Sequence, residues 1–391
     1  MNHKIEVEKF HTDSSKKGIK KWVAETEPPV SFFVQISDNI LDPENHDLLE
    51  IGRQGKDSRR LIIVDKNVYG LYGEKIENYF KTSGINYKIF PVVSSEEKKD
   101  LETLLLILGA MEEFKLERSG EPVLAVGGGV LLDVVGIAAT LYRRGVPYIR
   151  IPTTLLALVD ASVGVKTGIN HFGRRNRLGS YYGPIGAYLD RSFLRTLARK
   201  EISNGCGEIL KMAVVKDSRL FELLEKHGAR MIDDKFQNGQ EPTEVIERSI
   251  QGMVEELAPN LWEKDMKRLV NFGHSFSAVV EMRALPELSH GEAVALDVLY
   301  SCILSANRGL MKSNDMERVG KTMKLLELPT FHPLFGDINT LEEALADTVR
   351  HRDGAQELPI PLSIGRAIFL NDFTKVELKK ASDIMKEKFS T

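Results

Sequence analysis

The run Glu121-Pro122-Val123-Leu124-Ala125-Val126 leads straight into Gly127-Gly128-Gly129, and an apolar helical pattern through about residue 142 follows at once. A short apolar run, a glycine turn and a helix in that order describe a buried strand feeding a helix. The same alternation recurs on both sides. Residues 30–36 and 60–65 predict strands, 70–83 a helix, 87–93 a strand, 96–118 a helix and 147–152 a further strand. The helix at 96–118 rests on Leu101, Leu104, Leu105, Ile107, Leu108 and Met111 at helical spacing. Strand and helix in alternation indicate a parallel sheet with helices on both faces.

The pattern changes near residue 198. Beyond it, helical periodicity covers 200–216, 217–228, 243–258, 264–284, 290–309, 314–326 and 340–350, and only 358–370 reads as extended. The expected fold class is therefore α/β plus α. Residues 1–25 read as a solvated arm, 26–198 as a Rossmann-like α/β domain, and 199–391 as a mostly helical domain. A length of 391 residues suits two domains. A net charge of -3 gives no reason to expect a nucleic-acid partner. No stretch approaches the roughly 20 apolar residues that span a bilayer, and residues 1–22 lack the apolar core of a signal peptide. The two cysteines, Cys206 and Cys302, argue against a disulfide framework and fit a reducing compartment. A cytoplasmic protein with no membrane partner is expected.

Three segments can carry chemistry. The glycine turn lets backbone N–H groups approach a phosphate, and the helix start favours its charge. Asp65, ending an earlier strand, can hold a ribose hydroxyl, and Pro152-Thr153-Thr154 offers hydroxyls to the same crevice. A dinucleotide is the natural ligand there; a plain tight strand-to-helix turn is the alternative. Asp160, Lys166, Asn170, Arg174, Arg175, Asn176 and Arg177 crowd a segment punctuated by Gly164, Gly168, Gly173 and Gly179. Cations on a glycine-rich loop suit an anionic substrate; a solvated basic loop is the alternative. Lys166 stands apart, because small and apolar residues flank it.

The third segment set is Asn204-Gly205-Cys206-Gly207-Glu208, Asn271-Phe272-Gly273-His274-Ser275-Phe276 and Ser289-His290-Gly291-Glu292. Two imidazoles and a carboxylate are three protein ligands, the number that leaves a catalytic zinc one open position. The unpaired cysteine spacing excludes a thiolate zinc site. The alternative is that each histidine is a satisfied structural residue.

Taken in order, these frames resemble the sugar phosphate cyclase superfamily of 3-dehydroquinate synthase over about residues 55–380. The resemblance implies an NAD-binding N-terminal domain, a helical C-terminal domain, a catalytic Zn2+ (or Co2+) and a homodimer. It implies Glu208, His274 and His290 as metal ligands. It places Asp65, Glu96, Lys99, Gly128, Gly129, Asp133, Thr153, Thr154, Phe193, Thr196, Leu197 and Asn204 at the nucleotide, together with Asp160, Lys166 and Arg175. Asp160, Lys166, Asn176 and Lys211 are implied at the substrate, with Asn271 and His351 near it. Arg144 matches an arginine lent across the dimer interface to the substrate phosphate.

Within the superfamily, Lys166-Thr167-Gly168-Ile169-Asn170, Glu256-Leu257-Ala258-Pro259-Asn260-Leu261-Trp262-Glu263, Glu281-Met282-Arg283-Ala284-Leu285-Pro286 and Arg350-His351-Arg352-Asp353-Gly354 are most similar to the 2-epi-5-epi-valiolone synthases. These act on sedoheptulose 7-phosphate. Gly354 and Ala278 stand where a 3-dehydroquinate synthase carries lysine and histidine. Asn271, Ala278 and Arg175 depart from the branch, which usually has aspartate, proline and lysine there. The implied reaction is transient oxidation, phosphate elimination, reduction and aldol closure. Other readings are 2-epi-valiolone synthase, desmethyl-4-deoxygadusol synthase, 3-dehydroquinate synthase, a metal-dependent polyol dehydrogenase and an inactive sugar-phosphate sensor.

Overall fold

The computed structural model describes residues 9–13, 21–25, 30–54 and 58–390. Residues Phe33–Thr391 pack as one unit, and the segment before them is a separate one. That first segment contains strands β1 (Lys9–Asp13) and β2 (Lys21–Glu25), paired antiparallel. A ladder thus stands within the stretch expected as an arm; the rest of residues 1–25 lies outside the described residues.

The larger unit opens with β3 (Phe33–Ile36), β4 (Arg59–Asp65), α1 (Lys66–Ser83), β5 (Asn86–Val92), α2 (Leu101–Glu113), β6 (Val123–Gly127), α3 (Gly129–Leu141) and β7 (Tyr148–Pro152). A hairpin of β8 (Lys166–His171) and β9 (Arg174–Tyr181) follows, then β10 (Gly186–Leu189). Strands β3, β10, β7, β6, β4 and β5 form a six-stranded parallel sheet in that order. The period-2 alternation of strand side chains divides the core. Leu61, Ile63, Val123 and Ala125 pack with Leu104, Ile107 and Met111 of α2 and the apolar face of α3. Ile62, Val64, Leu124 and Val126 face the other way, onto Tyr72, Ile76, Tyr79 and Phe80 of α1. Because β4 is flanked by β5 on one side and β6 on the other, the chain reverses direction across the sheet there. Ligands bind such open sheets in the crevice outside the strands' carboxyl ends at this switch point.

The helical part comprises α4 (Arg199–Val215), α5 (Ser218–Asp233), α6 (Glu241–Leu257), α7 (Ser277–Ala284), α8 (His290–Asn307), α9 (Ser313–Leu325), α10 (Pro333–Gly336) and α11 (Ile338–His351). A hairpin of β11 (Leu358–Ser363) and β12 (Arg366–Leu370) and then α12 (Lys375–Phe389) end it. Helices α4 and α8 are buried along most of their length and form its centre.

Three expectations need correction. The helix expected over 264–284 is mostly irregular chain: a single 3-10 turn at Leu269–Asn271 interrupts it, and α-helix begins only with α7. Gly273 adopts φ +71, a left-handed bend, and the amides of Phe276 and Ser277 are capped by Asp297. The glycine-rich loop expected over 160–177 is a π-turn at Ala157–Ala161 followed by the β8–β9 hairpin. Gly168 pairs with Gly179 in its ladder, and a Cβ on Gly179 would lie 2.6 Å from the Thr167 carbonyl oxygen. The helix expected from 96 begins at Leu101, where Asp100 accepts from the Thr103 amide at 2.8 Å. Helix α12 was not expected, because most of its residues are polar; Thr374 and Glu377 cap it reciprocally.

Candidate metal and cofactor site

The site begins at the crossing of α4 and α8. Asn204 turns its amide oxygen to the first turn of α8, accepting from the Gly291 N–H at 2.7 Å and the Ser289 hydroxyl at 3.1 Å. Ser289 and Glu292 add a capping box. Asn204, implied above as a nucleotide contact, is thus engaged in holding the start of α8. Gly207 and Gly291 let the two backbones touch, and this sets Glu208 of α4 beside His290 of α8.

His274 enters from the loop before α7. Ligand atoms of Glu208, His274 and His290 lie within 4.8 Å of one another, the one such group of three among the described residues. Glu208 Oε1 stands 3.0 Å from His290 Nε2 and 3.6 Å from His274 Nε2. Each ring is oriented through its other nitrogen. His274 Nδ1 meets the Phe272 carbonyl at 3.0 Å, and His290 Nδ1 meets Glu281 Oε2 at 2.9 Å. Carbonyl or carboxylate support of this kind turns both Nε2 atoms toward one point, the arrangement a metal-bound histidine uses. Both Glu208 oxygens are buried without an aligned hydrogen bond. A divalent cation fits this donor set: one buried carboxylate oxygen and two imidazole nitrogens are the kinds of ligand zinc takes.

Charge around the group is dense. Burial opposes ionisation of Glu208, but Lys211, with Nζ 2.5 Å from Oε2, and the two imidazoles hold its carboxyl well below the ordinary range. Burial pushes His274 down to about 3, so its ring is neutral. Burial and Arg175 oppose the charge on His290, yet Glu281 and Glu208 prevail and raise it to about 9. Burial, then Glu208, pushes Asp160 up; its Oδ1 is 3.7 Å from Lys211 Nζ.

The residues expected at a nucleotide gather at the carboxyl ends of the strands. Asp65 ends β4 and caps α1, accepting from the Asn67 amide at 2.8 Å and the Val68 amide at 3.1 Å. Gly128 precedes α3, which starts without a side-chain cap, so its first amides are free for an anion. A Cβ on Gly128 would meet Thr154 at 3.2 Å, and one on Gly129 would meet Ala161 at 3.3 Å. The Thr153 amide donates to the Gly127 carbonyl at 3.0 Å. Beyond β10, Phe193 packs edge-on against Tyr72, and Thr196 shares a 2.9 Å hydrogen bond with the Tyr72 hydroxyl.

Next to this crevice, buried Lys99 donates at 2.6 Å to both Asp133 and Asn176. Asn170 ties Glu96 to the β8–β9 hairpin at 2.7 Å. Arg175 lies at the metal group: it donates to Glu281 Oε2 at 2.8 Å. Lys166 pairs with Glu263, which also pairs with buried Arg268. Asn271 donates to the Met266 carbonyl at 3.1 Å. His351 ends α11, pushed down by burial and by Lys166. Arg144 is exposed beyond α3 and touches none of these residues. It and Arg143 both lie in the left-handed region, at φ +65 and +50.

Glu281, Glu263 and Arg268 were not singled out from sequence as site residues. Glu281 follows His274 by seven residues, two helical turns, but the intervening loop removes that spacing's meaning. Arg268 lies in a segment that read as helix, and Glu263 in the short gap before it.

The 3-dehydroquinate synthase N-terminal pattern matches residues 89–204, and the 3-dehydroquinate synthase C-terminal pattern matches 205–351. A 2-epi-5-epi-valiolone synthase from Actinomyces sp. is 44% identical over 375 residues, 94% of this chain and 98% of that protein. Another, from Streptomyces albus, is 46% identical over 373 residues, 94% of this chain and 90% of that protein. The solved structure of ValA, the 2-epi-5-epi-valiolone synthase of Streptomyces hygroscopicus subsp. jinggangensis 5008 with NAD+ and Zn2+ bound, superimposes with a TM-score of 0.90 at 44% identity. It covers 94% of this chain and 100% of that one.

Proposed function

The chain belongs to the 3-dehydroquinate synthase family, and from that premise we propose that it is a sugar phosphate cyclase that converts sedoheptulose 7-phosphate to 2-epi-5-epi-valiolone with release of phosphate, using NAD and a divalent cation, Zn2+ or Co2+. The observation that carries this reading is the convergence of Glu208, His274 and His290 on one point, in a chain so similar to synthases of that name.

Bound NAD would supply a reversible hydride acceptor and the cation a Lewis acid. Glu208, His274 and His290 hold the cation. Asp65, Gly128, Gly129, Thr153 and Thr154 cradle the nucleotide, with Phe193, Thr196 and Leu197 closing its far side. Lys99, Asp133 and Asn176 form a preset polar wall between the two. Lys166, Lys211 and Asn176 face the substrate and stabilise the charge that develops on the leaving phosphate. Asp160 keeps Lys211 oriented, and the Glu263–Arg268 pair keeps Lys166 in the cleft. Asn271 and His351 border the sugar.

We read residues 26–198 as the cofactor half and 199–391 as the metal half. The assembly is a homodimer in which Arg144 serves the partner's phosphate site. In support, two adjacent non-glycine residues accept left-handed backbone there, a conformation that costs energy and tends to occur at functional positions. The compartment is the cytoplasm, consistent with both cysteines being free and buried. No described helix is long and apolar enough to cross a membrane.

The test is incubation with sedoheptulose 7-phosphate, NAD+ and Zn2+, following phosphate and NADH and taking an NMR spectrum of the product. Stoichiometric phosphate, a cyclitol and no net NADH are expected. NADH accumulating with a polyol, without phosphate release, would make the protein a dehydrogenase instead.

A further inference from the structure

One fully buried carboxylate stands outside the site just described. Asp297 lies on α8, seven residues after His290, about 10 Å along the helix axis. Its Oδ2 accepts from the Phe276 amide at 2.6 Å and the Ser277 amide at 2.9 Å, and Oδ1 accepts from the Ser301 hydroxyl at 3.3 Å. Those amides begin α7 and follow His274 by two and three residues.

The His274 loop is referenced to α8 on its other side as well. Gly273, at φ +71, lies against Val294 and Val298 of α8, where a Cβ would come within 2.9 and 3.1 Å. The Ser277 hydroxyl donates to the Gly273 carbonyl at 2.7 Å, and the Thr348 hydroxyl donates to the Ser275 carbonyl at 2.7 Å. One helix therefore carries one imidazole ligand at its start and, two turns later, the anchor of the loop that carries the other. An ionised carboxylate is costly to bury. It is held here because one of its oxygens accepts two amides at once, a contact that any side-chain carbonyl-type oxygen at this place could make.

We propose that Asp297 is a positioning residue of the metal centre, fixing the 273–277 loop on α8 so that His274 Nε2 and His290 Nε2 meet the same cation. The proposal rests on Glu208, His274 and His290 being the metal ligands.

The test compares metal-free wild type, D297A, D297L and D297N, each titrated with Co2+. The readouts are the visible absorption of bound cobalt, the metal-to-protein ratio and the thermal melt. Wild type should bind one Co2+. D297N keeps an oxygen for both amides and should match wild type within about threefold, with the same spectrum. D297A and D297L should bind about 10–100-fold more weakly, as loss of a ligand's support does, with a changed spectrum and a cooperative melt. Leucine removes the cap without leaving a cavity and so covers the case in which alanine fails to fold. Unchanged affinity and spectrum in D297L, or loss of binding in D297N, overturns the role given to Asp297. Failure of wild type to bind Co2+ overturns the ligand reading itself.

Discussion

Gly207 of α4 and Gly291 of α8 meet so closely that a Cβ on Gly207 would lie 2.1 Å from the Gly291 carbonyl oxygen, and one on Gly291 would lie 1.8 Å from the Asn204 carbonyl oxygen. Their sequence neighbours are Glu208 and His290. A backbone-to-backbone contact cannot yield by rotating a side chain, so the methyl of Gly291→Ala must push the helices apart. Overpacking a core costs about 1–3 kcal/mol, sometimes more, and here it would also move Glu208 away from His290. G291A is expected to lower both urea stability and bound zinc. A variant that retains a full equivalent of zinc would show that this crossing does not set the ligand spacing.

His274→Ala removes a neutral imidazole whose Nδ1 is hydrogen-bonded to the Phe272 carbonyl. The protein should stay soluble and folded, lose its metal on dialysis and lose turnover. Metal analysis and phosphate release check this, and full activity after metal stripping would refute the site.

Lys211 is buried beside Glu208 and Asp160, which raise its ammonium against the effect of burial. Both carboxylates favour its ammonium form. Removing one preorganised donor of this kind costs on the order of 100-fold in rate. Lys211→Ala should slow phosphate release at saturating substrate by about that factor, and an unchanged rate would take Lys211 out of the mechanism.

The parts legible in sequence were those where local pattern and tertiary role coincide. β4 and β6 read as buried strands because both faces are covered. The helix after Gly128 read correctly because the glycine turn and the apolar run agree. Glu208, His274 and His290, which the fold brings together, stood out because each sits in a distinctive frame. The 264–276 segment misled because its periodicity does not survive its setting: at its end Asp297 on α8 takes the Phe276 amide and Thr348 on α11 takes the Ser275 carbonyl. The β8–β9 hairpin was hidden by its glycines, which signal a loop until their pairing partners are known. Glu281 and Asp297 gained their roles only from three-dimensional neighbours.

Asp297 also gives the protein a measurable pH signature. Burial pushes its carboxyl up to about 6, against an ordinary value of 3.8. A raised acid binds its proton more tightly in the native state, so between about pH 4 and 6 the native protein holds more proton than the unfolded chain. Stability from this group is then greatest below pH 4 and falls as pH rises through 6. A rise of that size is equivalent to about 3 kcal/mol. Asparagine at 297 has no proton to lose. The stability of D297N relative to wild type, measured by urea unfolding of the metal-free proteins, should therefore climb by up to about 3 kcal/mol from about pH 4 to about pH 6.5 and stay level above that. A difference independent of pH across this window would mean that Asp297 does not ionise there.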